Sequence, residues 1–467
     1  MRNARPNYMC FPSVLCVGKE TTVTIVPRDT SRVFRPEREY EIGVSGTWED
    51  QLDYQAPDAT DHPFEIADGC LRFTITPNRE QEYFVRLKAD GAPLKIPFYA
   101  VEEDLYALRP LKGDFHTHTY YSDGANGLTM TPADYREEGF DFFTLTDHNR
   151  MFTSRLAAEL YDGIPLGMHI VFGEEVHTPG STLHIVHAGG KKSVCNRYIH
   201  NQPQYEAEVD QLAATLPHIP EQYRRRTAMA HWACRAIHEE GGIAIFAHPC
   251  WQPDHYNLSP EFTQFLFDAK IFDALELMGG CRDRDSNLQL ALWQEQALKG
   301  NALPVVGSSD SHDHNFHKNI FAHRFSIVFA KENTTEAILD AVKSGYSLAG
   351  ELPINSETDV RFYGSVRLVA FSHFLYENYF SETWRLCFGE GVLMRRYAQG
   401  EAVEAVLGAL APTVETFYKR FYGLLEAPSI SPKQQAFLDH ALQLQRTEGP
   451  ITKGSKIYIY GNNGRRE

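Results

Sequence analysis

The sequence predicts an α/β protein. We expect a mostly parallel sheet, open or closed into a barrel, with an N-terminal β-sandwich before it and a C-terminal helical extension after it. Three observations carry this. From Leu111, apolar strand-like runs alternate with helical segments. Residues 1–108 instead hold short β-branched or aromatic runs separated by turn signals. From about Asn355, apolar residues recur at helical spacing.

In residues 1–108 the runs are "TTVTIV", "EYEIGVSG", "CLRFTITP", "EYFVRLKA" and "LKIPFYAV". "PRD", "PNREQ" and "ADGAP" supply the turns between them. Such spacing suggests a small antiparallel sandwich. "EEDLYALRP" reads as the junction to the next domain, residues 109–354. There the strand candidates are "LKGDFHTH", "FDFFTLTDHN", "GMHIVFGEEVHT", "TLHIVHAGG", "GIAIFAHP", "FDALELMGG", "LPVVGSSDSH" and "HRFSIVFA". Helical patterns separate most of them. "TPADYREEG" offers Thr131 as N-cap, Pro132 at the first helical position and Gly139 as the stop. "SPEFTQFLFDA", "DRDSNLQLALWQEQALKG" and "TTEAILDAVKSG" are further helices. A polar stretch at about 196–226 reads as an insertion near the functional face. Residues 355–467 read as a packed helical extension in which "APSISP" separates two helices, and "YGNNGRRE" reads as disordered.

Composition bounds the function. At 43% hydrophobic and 12% aromatic, 467 residues suffice for two or three cored domains. The net charge of -16 argues against general nucleic-acid affinity, which needs basic surface. Eight cysteines without a CxxC pair suit reduced thiols in a cytoplasmic protein. No secretory h-region and no long apolar run is visible, so no membrane partner is expected.

The chemistry collects at the strand ends. "GDFHTHTYYSDG" gives His116, His118 and Asp123, and "TDHN" gives Asp147 and His148. "GEEVHT" gives Glu174, Glu175 and His177, and the next run gives His184 and His187. "FAHP" ends in His248, and "GSSDSH" ends in Asp310 and His312. Residues two apart on a strand share a face, so His116 and His118 can reach one ion together, as can Asp310 and His312. Imidazole with carboxylate suits zinc, iron or manganese. So many donors exceed what one tetrahedral ion takes, which favours a di- or trinuclear site.

These motifs, "DFHTHTYYSDG", "LTDHN", "GEEV", "HIVH", "FAHP" and "GSSDSH", resemble those of the polymerase and histidinol phosphatase (PHP) superfamily, in its order, over about Leu111 to Gly350. The resemblance implies a distorted (β/α)7 TIM-like barrel with two or three divalent ions (Mn, Fe or Zn) at its mouth. One ion would take His116, His118, a bridging glutamate and Asp310. A second would take that glutamate, His184 and His248, and a third Asp123, His148 and His312. The resemblance favours Glu175 as the bridge; alternation on the strand lets only one of Glu174 and Glu175 face inward. Asp123 stands where the superfamily often has histidine, as in members that look like small-molecule phosphoesterases. His177 and His187 fall outside the pattern. Asp114 and Asp147 would orient neighbours.

The implied activity is hydrolysis of a phosphate ester of a small molecule. A hydroxide held at Glu175, Asp310 and His248 would attack phosphorus. Candidate cations for the phosphate are Arg282, Arg155 and Lys191, with Lys192, Arg284 and Lys318 behind them; Tyr120 and Tyr121 could line the pocket. The alternatives are a PHP-type nuclease and a non-catalytic metal-binding or carbohydrate-interaction protein.

Overall fold

A computed structural model describes residues 7–48, 60–88, 94–252, 258–280, 282–314, 321–353 and 359–447. Lys318, Cys281 and the terminal "YGNNGRRE" lie outside these residues. The first nine strands are β1 (Tyr8–Phe11), β2 (Val14–Cys16), β3 (Thr21–Pro27), β4 (Glu41–Gly46), β5 (Thr60–Asp61), β6 (Phe64–Ala67), β7 (Cys70–Ile75), β8 (Gln81–Lys88) and β9 (Leu94–Val101). They form a four-stranded sheet, β1-β3-β7-β6, and a five-stranded sheet, β2-β9-β8-β4-β5. In β8 burial alternates residue by residue, as a sheet with one covered face requires. Cys10, Val23, Ile25, Phe73, Val85, Leu87 and Phe98 from both sheets share one buried core. The short strands β1, β2, β5 and β6 carry too few alternating residues to stand out in the sequence.

Ten strands follow in one sheet: β10 (Arg109–Asp114), β11 (Phe142–Leu145), β12 (His169–Val176), β13 (Ile185–Gly189), β14 (Gly242–Phe246), β15 (Ala274–Met278), β16 (Val305–Gly307), β17 (Arg324–Ala330), β18 (Ser347–Glu351) and β19 (Arg361–Tyr363). The order is β16-β15-β14-β13-β12-β11-β10-β17-β18-β19. All eight expected runs are strands. The sheet curls until its ends nearly meet. The Ser326 hydroxyl on β17 donates to the Gly307 carbonyl at 2.8 Å and accepts from the Gly307 amide at 3.0 Å. The Ser347 hydroxyl on β18 donates to the Val305 carbonyl at 2.9 Å. Gly307 is required for this approach, because a Cβ there would lie 2.3 Å from the Phe325 carbonyl oxygen. The result is a nearly closed, barrel-like sheet.

Not every strand runs the same way. β10, β11 and β12 are parallel, as are β14, β15 and β16, but β13 lies antiparallel between β12 and β14. β17 is antiparallel to both β10 and β18. The start of β13 therefore lies at the same end of the barrel as the finishes of β12 and β14.

Helix Thr131–Glu137 starts one residue earlier than expected. Thr131 is not its N-cap; its hydroxyl donates to the Gly127 carbonyl at 3.0 Å. Ser259 and Thr334 do cap their helices, accepting from Phe262 and Ala337 amides. The stretch at 196–226 is helical, spanning Cys195–His200, Gln202–Ala214 and the start of Glu221–Glu239.

The C-terminal helices are built into the molecule. One buried cluster joins Val14, Tyr99 and Val101 of the sandwich, Phe143 and Phe329 of the barrel, and Phe371, Phe374, Tyr379 and Phe421 of the extension. Within this contact, Arg136 is fully buried. Its Nε donates to Glu390 at 2.7 Å and its Nη1 to the Phe140 carbonyl at 2.9 Å. The second Glu390 oxygen accepts from the Gly167 amide at 2.6 Å. Among the described residues no helix is long and apolar enough to cross a membrane.

Candidate metal centre

The carboxylate of Glu175 sits near the end of β12, and six imidazoles surround it. Around Oε2 lie His148 Nδ1 at 2.7 Å, His116 Nε2 at 3.3 Å and His118 Nε2 at 3.4 Å. Around Oε1 lie His184 Nδ1 at 2.9 Å, His248 Nε2 at 3.4 Å and His177 Nε2 at 3.6 Å. Both Glu175 oxygens are buried without a hydrogen-bond partner, as are His116 Nε2, His148 Nδ1, His177 Nε2 and His184 Nδ1. These atoms approach one another without the alignment a hydrogen bond needs. Unsatisfied buried polar atoms are costly, so many in one place mark donors suited to a cation.

Asp310 joins the Oε2 side. Its Oδ1 is 3.0 Å from His118 Nε2 and 3.4 Å from His116 Nε2. A tetrahedral ion with donors at about 2.0–2.2 Å keeps those donors roughly 3.3–3.6 Å apart. The imidazole–carboxylate separations among His116, His118, Glu175 and Asp310, 3.0 to 3.4 Å, lie near that spacing. Glu175, His184 and His248 form a second group, and His118, Asp123, His148 and His312 a third. In the third, Asp123 lies 3.2 Å from His148 Nε2 and 3.3 Å from His312 Nε2. All nine residues expected to ligate thus come together, and their chemistry fits divalent ions.

The local backbone explains how the strands deliver them. β10 and β11 end in the motif loops, and Thr119 and Ser122 bond Asp147. Its Oδ1 accepts from the Thr119 amide and the Ser122 hydroxyl, and its Oδ2 from the Thr119 hydroxyl, each at 2.7 Å. Asp114 accepts from the His116 and Ser309 amides at 3.0 Å and from the Tyr135 hydroxyl at 2.8 Å. It therefore ties the first motif to the last. Three residues here carry positive φ without being glycine: Asn149 (57°), His248 (25°) and Asp310 (47°). Such strained conformations concentrate at functional sites.

The electrostatics favour positive charge. Burial opposes ionisation of Asp310, but His116 and His118 outweigh it and hold the carboxyl well below its usual range. Glu175 is depressed likewise by His116, His184 and His148 against its burial. Burial opposes charge on His148 too, yet Glu175 and Asp123 lift its pKa to about 10. His312 rises to about 9 through Asp123 and Asp310, again against burial. His184 and His118 go the other way, burial taking His184 down to about 4 and lowering His118 as well. Carboxylates that raise their neighbours' proton affinity this way form a site that favours cations.

Glu174 points away from the cluster. Its carboxylate accepts from the Ser193 hydroxyl and the Val194 amide, both at 2.6 Å, and pairs with His187 Nδ1 at 3.2 Å. It anchors helix Cys195–His200 to the outside of the barrel. His187 is therefore a buried partner of Glu174, remote from the cluster.

Among the expected cations, the placements of Lys191, Lys192 and Arg155 need correcting. Because β13 is antiparallel, Lys191 and Lys192 follow its far end, opposite the cluster, where the Lys191 amide bonds the Glu240 carbonyl at 3.0 Å. Arg155 reaches that same end, donating to the Lys191 carbonyl and covering the Phe172 ring. Neither Arg155 nor Lys191 faces the cluster. Arg282 and Arg284 are at the correct end. Gly280, two residues before Arg282, packs against Asp310, where a Cβ would lie 2.3 Å from the Asp310 Cβ. Both guanidiniums are over 60% exposed and flank the buried Asp285. They also bond Gln252, next to Trp251, whose ring lies 5.4 Å from His248 and 5.7 Å from His184. Tyr120 is exposed and stacks on Tyr121 at 4.5 Å.

Glu276 was not singled out by the sequence. It is fully buried on β15, and its Oε2 lies 2.9 Å from His116 Nδ1. A carboxylate there fixes the ring so that Nε2 faces Glu175 and Asp310. "LELMGG" gave one signal: a glutamate inside an otherwise apolar buried strand.

No protein-family model matches the chain, and no curated protein matches it. Solved structures do. One is a two-domain protein containing a predicted PHP-like metal-dependent phosphoesterase, from Bacteroides vulgatus, at 22% identity and TM-score 0.36. The match covers 52% of this chain and 65% of that one, so this chain spans under two thirds of that protein. A candidate metal-dependent phosphoesterase from Bifidobacterium adolescentis matches at 19% identity and TM-score 0.32, over 44% of this chain and 89% of that one. An amidohydrolase from Chromobacterium violaceum, with bound sulfate and no metal, matches at 20% identity and TM-score 0.29, over 43% and 87%. Likenesses at these scores carry no weight for function, which rests on the residues above.

Proposed function

We propose that this protein hydrolyses phosphate esters of a small molecule with two or three divalent ions. His116, His118, Glu175 and Asp310 would hold one ion, Glu175, His184 and His248 a second, and Asp123, His148 and His312 a third. The observation that carries the reading is the buried Glu175 carboxylate, both oxygens without hydrogen bonds and each facing three imidazole nitrogens. Divalent ions at such a site supply Lewis acidity and water activation near neutral pH.

The chain's own residues do the rest. Glu175 and Asp310 stay ionised and keep neighbouring donors in place. Asp123 and His312 are about half exposed, so substrate reaches the cluster from their side. Arg282 and Arg284, at the start of the helix Asp283–Leu298 just after Gly280, offer positive charge to a phosphate approaching the rim. The net charge of -16 favours a small phosphorylated substrate over nucleic acid.

The test is to purify the protein, measure bound Mn, Fe and Zn, and assay phosphomonoesters, phosphodiesters and single-stranded DNA. His116→Ala and Asp310→Asn should each lower metal content and cut turnover on the small ester by about 100-fold or more. A metal-loaded protein inactive across a broad ester panel would overturn the proposal. Preference for DNA would move it to the nuclease class.

A further inference from the structure

His177 lies outside the nine-residue donor set, yet its Nε2, like His116 Nε2, His148 Nδ1 and His184 Nδ1, is buried beside Glu175 without a hydrogen-bond partner. We propose that His177 is an additional metal ligand, its Nε2 adding to the donors gathered around Glu175. This rests on the metal-centre reading above and extends it by one donor.

Four observations carry the assignment. His177 Nε2 is buried without a hydrogen-bond partner and lies 3.6 Å from Glu175 Oε1. Its ligand atom falls within 4.8 Å of those of Glu175 and His148. A histidine that only filled space would leave that nitrogen unsatisfied, a cost that packing does not return. Its ring packs 3.7 Å from that of His184 and 4.4 Å from that of His148, which fixes its plane among the proposed donors.

Strand geometry supplies the third reason. β12 ends at Val176, and His177 continues it two residues after Glu175. Extended chain turns both side chains to one face, the same logic that pairs His116 with His118. Finally, the His177 backbone is held on both sides. Its amide donates to Asn149 Oδ1 at 2.9 Å, and the Tyr198 hydroxyl lies 2.9 Å from its carbonyl oxygen and 2.6 Å from Asn149 Oδ1. Asn149 in turn donates its amide to the Glu175 carbonyl at 2.8 Å. One residue therefore fixes the backbone at both places, its side chain at His177 and its own backbone amide at Glu175. Tyr198 comes from helix Cys195–His200, so the inserted helices reach the site through this residue.

The experiment compares full-length wild type with His177→Gln, His177→Ala and His177→Cys. Each is stripped of metal, checked for folding by circular dichroism, and titrated with Zn²⁺ against a chromophoric chelator; Co²⁺ absorption is recorded in parallel. We expect the Gln and Ala variants to bind one ion at least about tenfold more weakly than wild type, with an altered Co²⁺ spectrum. The Cys variant, which offers a thiolate, should recover Zn²⁺ affinity. Unchanged affinity, stoichiometry and Co²⁺ spectrum in the Gln and Ala variants would overturn the proposal, and a raised KM with those readouts unchanged would make His177 a substrate contact instead. Failure of the underlying metal reading shows separately, as wild type that binds no ion.

Discussion

Glu174 and Glu175 are adjacent, identical and both buried, yet they face opposite sides of one strand. Exchanging either for glutamine should separate two properties. Glu175→Gln should strip metal and activity while leaving the fold. Glu174→Gln should keep metal content but lower stability by about 1–3 kcal/mol, because the Val194 amide and Ser193 hydroxyl lose a charged acceptor; urea unfolding and metal analysis measure the two. Glu276→Gln tests the residue behind His116. It keeps the shape and removes the charge, and we expect metal affinity or turnover to fall about 10–100-fold, read by chelator titration alongside kcat. The nine clustered residues stood out in the sequence because histidine and carboxylate at strand ends are conspicuous. The inward-facing glutamate was not legible from alternation alone. Parity depends on register, here Glu175 opposite Val186 and Glu174 opposite His187, which no local pattern encodes.

At the scale of elements, strand direction was the hidden variable. "HIVHAGG" has the same composition whichever way it runs, and reading it as parallel misplaced Lys191. A signal was present: residues 177–184, between β12 and β13, are too few for a parallel crossover, which takes about a dozen or more. The C-terminal helices were legible as helices, but their docking depends on tertiary partners such as Arg136, which the sequence shows only as one more surface-type charge. The Arg136–Glu390 pair gives a prediction here. Glu390→Ala leaves a fully buried guanidinium with its main partner gone, and should cost about 3–5 kcal/mol. Thermal or urea unfolding measures it; a loss below about 1 kcal/mol would show that the contact contributes little.

Over the whole molecule, ions that bind only the folded state add stability by mass action, about 4 kcal/mol at a thousandfold excess over Kd. Chelation should therefore lower the melting temperature, and readdition of Mn²⁺ or Zn²⁺ should restore it. A second whole-molecule prediction concerns the seam between sandwich and extension. Burial, with Glu377 nearby, raises the Glu82 pKa from 4.5 to about 7. A carboxyl raised on folding stabilises fully below 4.5, and that contribution is lost as pH climbs through about 7. Glu82→Gln should thus melt higher than wild type at pH 8 and level with it near pH 4.5, as calorimetry at the two pH values would show.

That seam also bears on how the chain is made. The Ser13 amide bonds the Phe421 carbonyl at 2.8 Å, and the Tyr106 hydroxyl bonds the Tyr422 carbonyl across 316 positions. Val14, Tyr99 and Val101 share their cover with Phe371, Phe374 and Phe421. On the ribosome the first strands emerge long before the helices that shield them. The nascent sandwich must wait with an apolar face uncovered, which slows completion of folding and makes this interval the one in which a chaperone has most to hold.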